Sequence, residues 1–139
     1  MQKMLLCVVL FVVSMLMSLD GHARAAVPMQ SPQHADFVVS GNRIPGIEKV
    51  RESIVVAASA RGWQVISEQA GQQLQLRNVI RGKHTVVVDV FYDTKGVRID
   101  YVSSENLKYT MRDGAASIHP KYNEWVKLLL QDIVARVSI

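Results

Sequence analysis

A chain of 139 residues with a single cysteine and a formal net charge of +4 cannot close an internal disulfide or assemble a multi-thiolate metal site. Its 49% hydrophobic and 20% charged residues exclude a disordered polyelectrolyte. The charge excess is too small for the dense basic footprint of a nucleic-acid-binding protein.

The chain opens with Lys3 in a short polar start, and an apolar run follows from Met4 through Leu19. Asp20-Gly21-His22 then breaks that run, and Ala23-Arg24-Ala25 places small side chains at the −3 and −1 positions a signal peptidase requires. Residues 1–25 are therefore expected to be a cleaved signal peptide, and the protein to be periplasmic or secreted. A membrane contact is expected only through the signal, if it stays uncleaved, because a span wants roughly 20 apolar residues. Cys7 lies inside the apolar run behind Leu6, which does not fit lipoprotein processing. Cleavage leaves 114 residues with no cysteine and a net charge of +3.

Residues 26–36 hold two prolines and no periodicity, and read as a flexible linker. Residues 37–139 are expected to form one domain, with Phe37-Val38-Val39 as a short edge strand ahead of a Gly41-Asn42 turn. From Pro45, Ile47, Val50, Ile54, Ala57 and Ala58 recur at helical spacing, and Arg61-Gly62 ends the helix. Trp63 to Glu68, Gln73 to Ile80, Thr85 to Tyr92 and Val97 to Ser104 read as four strands. In the third, Val86, Val88, Val90 and Tyr92 share one face. Asp93-Thr94-Lys95-Gly96 makes a hairpin loop. Residues 104–117 are a polar connection, and from Pro120 a second helix repeats Tyr122, Val126, Leu129, Ile133 and Val137 along one face. The fold class that follows is α+β: a two-layer sandwich in which a four-stranded antiparallel meander carries both helices on one face.

The pattern Arg61-Gly62-Trp63, Gly71, the valine-rich strand ending at Tyr92, Ile99-Asp100-Tyr101 and Ser104-Glu105-Asn106-Leu107 continues into Ile118-His119-Pro120-Lys121-Tyr122-Asn123-Glu124-Trp125-Val126. It resembles a family of small envelope proteins of Gram-negative bacteria, many of them lipoproteins by sequence, over about residues 47–137. The resemblance implies a periplasmic or membrane-associated protein and no particular activity. The export signal here departs from that family's lipidated form, so tethering does not carry over.

No catalytic set stands out. His119 with Ser104 and a carboxylate such as Asp100 or Glu105 spells a hydrolase on paper, but no nucleophile elbow accompanies them. Polar residues at a helix start ordinarily serve as caps. His34, His84 and His119 lack metal-ligand spacing, so neither a metal nor a cofactor is expected. The exposed sheet face is the better candidate, since Val87, Phe91 and Arg98 make it more apolar than a solvent face requires. Tyr109, beside Lys108 and Arg112, together with Asn106 and His119, adds a second group in or beside the long connection. The expected role is thus a non-enzymatic domain that binds an envelope protein, an envelope component or a second copy of itself. The alternative is a small periplasmic hydrolase using His119.

Overall fold

The computed structural model describes residues 24–138. All of the expected signal peptide except Arg24 and Ala25 thus lies outside the described residues. Among the described residues the protein is α+β, with eight strands in two antiparallel sheets and two helices. The strands are β1 (Val27–Pro28), β2 (Gln33–Asp36), β3 (Trp63–Gln69), β4 (Gln73–Ile80), β5 (His84–Tyr92), β6 (Gly96–Glu105), β7 (Thr110–Arg112) and β8 (Ala115–Ile118). Helix α1 (Ile47–Ala60) precedes β3, and α2 (Pro120–Val137) follows β8.

The expected strands of the meander are present as β3 to β6, but they do not stand alone. Strand β2 adds to the free edge of β6, giving the order β2-β6-β5-β4-β3, while β1, β8 and β7 form a separate three-stranded sheet. A single four-stranded meander is therefore corrected to two sheets. The stretch read as a linker holds β1 and all of β2, whose Gln33, His34, Ala35 and Asp36 pair with Ile99, Arg98, Val97 and Gly96. The edge-strand expectation at Phe37-Val38-Val39 also fails. Only the Phe37 N–H bonds across, to Lys95 O at 2.8 Å, and Val38 is 71% exposed. Residues 104–117 are more than a connection, because β7 and β8 form a hairpin within them. In all three places the presence or absence of a pairing partner decides the conformation, and local hydrophobic pattern does not register it.

The alternation of the central strands survives intact. Leu74, Leu76, Val86, Val88, Val90, Val97 and Ile99 are buried on one face. They join Val50, Ile54 and Ala57 of α1 and Tyr122, Val126, Leu129 and Ile133 of α2 in one core. Two bulges interrupt the register, at Ile66 in β3 and Val102 in β6, each an extra residue opposite a continuous partner strand.

Both helix boundaries have a local cause. Helix α1 ends where the Arg61 N–H bonds to Ala58 O and Gly62 takes a φ of 83°, a left-handed conformation that suits glycine. Asn78 of β4, itself buried, donates from Nδ2 to Arg61 O at 3.1 Å and ties that helix end to the sheet. Helix α2 starts with His119 as its N-cap and Pro120 in the first turn, where the missing N–H has no intrahelical partner to lose.

Candidate functional site

The face of the five-stranded sheet opposite the helices is built from cross-strand rows. The register aligns His34, Arg98, Phe91, Gln73 and Gln69 in one row across all five strands. Asp100, Asp89, Gln75 and Ser67 make the next, followed by Ser103, Val87, Arg77 and Gln64. Phe91 and Val87 are half-buried, and Arg98 is exposed. The Arg98 guanidinium lies 4.5 Å from the centre of the Phe91 ring. Its Nε also donates to Asp100 Oδ1 at 2.9 Å, so one side chain carries a cation–π contact and an exposed ion pair. Gln75 Nε2 donates to Asp89 Oδ1 at 3.0 Å beside them.

At the β5–β6 hairpin this face runs into an open groove of about 630 Å³, lined by His34, Asp36, Gln72, Phe91, Lys95 and Arg98 among others. The hairpin itself is held by Asp93, whose Oδ1 accepts from the Lys95 and Gly96 N–H groups at 2.7 and 2.9 Å. Gly96 is obligatory for a different reason. A Cβ there would sit 2.8 Å from Ala35 O, inside the β2–β6 pairing.

The six candidate residues therefore separate into two groups. Val87, Phe91 and Arg98 share the open face, with Val87 two rows from the other two. Asn106, Tyr109 and His119 lie around the opposite end of the sheet. Asn106 takes a φ of 60°, donates from Nδ2 to Lys83 O at 2.7 Å, and offers its carbonyl to His84 Nδ1 at 2.8 Å. These bonds join the 106–109 loop to the β4–β5 hairpin. Tyr109 stacks on Tyr101 with centroids 4.7 Å apart, and Tyr101 meets Tyr122 edge-on at 5.5 Å. The Tyr101 hydroxyl shares a 2.8 Å hydrogen bond with Ser104 Oγ. Burial raises the Tyr101 phenol's pKa, with that bond acting in opposition. The deeper Tyr122 phenol is raised further by burial, with the Ser31 hydroxyl opposing. Among the described residues no hydrogen bond closes to its Oη.

His119 accepts from the Lys121 N–H on Nδ1 at 3.1 Å, and its backbone N–H donates to Leu107 O at 2.8 Å. An accepting Nδ1 is unprotonated, so the ring that caps α2 is neutral, with its remaining proton on Nε2. Burial holds the pKa below the ordinary value, helped by Lys108, His84, Arg24 and Lys121. Ser104 is engaged with Tyr101, and among the described residues no hydrogen bond joins it to His119. Among the described residues, no three His, Asp or Glu side chains gather in a metal-ligating cluster, and no helix is long and apolar enough to cross a membrane.

Two participants escape sequence reasoning. His34 enters the Phe91–Arg98 row and the groove from a segment with one apolar residue in four, which carries no strand periodicity. Ser31 accepts from the Tyr101 N–H at 2.9 Å, continuing the β6 edge where β2 stops. Comparison with protein-family models, curated proteins and solved structures finds no match to this chain.

Proposed function

We propose that the protein is an exported, non-enzymatic binding domain of the bacterial cell envelope. It engages a protein or another envelope component through the open sheet face around Phe91 and Arg98, with residues 104–117 as a second contact region. What carries the reading is the conjunction at one place: a half-buried aromatic ring, an exposed guanidinium laid over it, and an open groove continuing from both. Aromatic and arginine side chains dominate binding energy where they meet a partner. Arg98 is held in position by Asp100, which limits the side-chain ordering left for binding.

The test is a photo-crosslinking residue at position 91 in living cells, with Val56 on the exposed side of α1 as the control position. Adducts of defined mass should form from position 91 and weaken on Arg98→Ala, in a variant whose circular dichroism is unchanged. An adduct of twice the chain's mass would make the occupant a second copy. Equal labelling from both positions refutes the reading.

A further inference from the structure

Charge is distributed unevenly over this molecule. The β4–β5 hairpin, the 106–109 loop and the first turn of α2 meet at one end, joined by the Asn106–Lys83, His84–Asn106 and Leu107–His119 bonds. The chain enters the fold at the same end, where Lys108 Nζ donates to Arg24 O at 3.4 Å. Five cations collect there: Arg24, Arg81, Lys83, Lys108 and Lys121. They face two carboxylates, Glu105 opposite Thr85 and Glu124 in an exposed ion pair with Lys121. Elsewhere among the described residues basic and acidic groups nearly balance, and Arg51–Glu68, Arg61–Asp132 and Arg98–Asp100 are paired directly. The His119 pKa is lowered first by burial; the further lowering by Lys108, His84, Arg24 and Lys121 agrees with a positive potential over this end.

We infer that this end of the domain rests on an anionic bilayer surface, with Arg81, Lys83, Lys108 and Lys121 as the cations that meet the headgroup phosphates. Two observations choose a membrane over a discrete anionic ligand. The cations come from three chain segments on long, flexible side chains, which suits a smeared surface potential better than one phosphate. The apolar run Met4–Leu19 also ends five residues before Arg24, a reach of at most roughly 18 Å. Export through the bilayer therefore delivers this end, and not the Phe91 face, next to the lipid. Cleavage after Ala25 would remove Arg24 but place a new α-ammonium on Ala26, one residue before β1, so the local charge would be unchanged. This inference rests on the export that the proposed function assumes, and not on the sheet-face reading.

The test uses the protein as purified after export, its N-terminus read by mass spectrometry. Its partition is measured into vesicles of 30% phosphatidylglycerol in phosphatidylcholine and into phosphatidylcholine alone. The readout is the ratio of the two partition coefficients, which any retained apolar segment leaves unchanged. The ratio should be well above one at low salt and collapse towards one in half-molar salt. The variant Lys83→Gln with Lys108→Asn should lower it about twenty-five-fold, near fivefold per charge. Asparagine is used at 108 because that residue has a φ of 54°. Phe91→Ala should leave the ratio unchanged. A parent ratio near one, a double variant that keeps the parent ratio, or an equal loss in Phe91→Ala each overturns the inference.

Discussion

Replacing His119 separates its capping role from any other, and pH provides a second handle on the same bond. The neutral ring accepts the Lys121 N–H at 3.1 Å, one of the helix's first donors with no intrahelical partner. Protonation removes the accepting lone pair. Losing such a cap costs about 1 kcal/mol, or roughly 4 °C in Tm for a domain of this size. Because burial and the neighbouring cations lower the folded pKa, the unfolded chain takes up its proton first, near the ordinary 6.5. The associated stability is complete above that value, falls as pH drops from about 6.5 through the lower folded pKa, and then levels off. Thermal unfolding followed by circular dichroism at pH 8 and pH 5 should show this loss in the parent. His119→Asn, which caps without titrating, should retain stability at pH 8 and lack that increment of acid sensitivity. His119→Ala should be weaker by about 1 kcal/mol at pH 8. Identical pH profiles in parent and His119→Asn, or an alanine variant as stable as the parent, refute the reasoning.

Two more substitutions probe the sheet. Gly96→Ala drives a Cβ against Ala35 O, so it should destabilise by about 1–3 kcal/mol. Amide exchange should accelerate first in β2, and an unchanged β2 would contradict the assigned register. Val88→Ala and Val87→Ala compare the two faces of β5 at neighbouring positions. The first empties a fully buried site and should cost about 2 kcal/mol in chemical denaturation, while the second, half-buried, should cost less than 1 kcal/mol. Equal losses would mean the faces are misassigned.

Long amphipathic elements are legible in the sequence. In β5, alternation puts Val86, Val88, Val90 and Tyr92 inside, and in α2 the spacing from Tyr122 to Val137 puts one stripe inside, because burial on one side leaves a period in the residues. Polar strands leave none. Gln33–Asp36 contains one apolar residue, Ala35, yet pairs along four residues of β6. Val38 and Val39, β-branched and apolar, stay irregular and exposed because no strand edge is presented to them. The candidate site divides in the same way. Arg98 and Phe91 were placed on one face by counting, but the guanidinium lying over the ring depends on register between two strands.

By itself, then, the amino-acid sequence determined the class of fold, both helices, the central antiparallel strands and the buried face of each, since periodic burial is written residue by residue. It also supplied the expectation of export on which the proposed setting depends. Tertiary structure alone decided that β2 and β1 join sheets and that the six candidate residues form two groups. It also decided that cations from four stretches of chain meet at one end. Each of these depends on contacts between residues far apart in the chain, whose partners no local window contains.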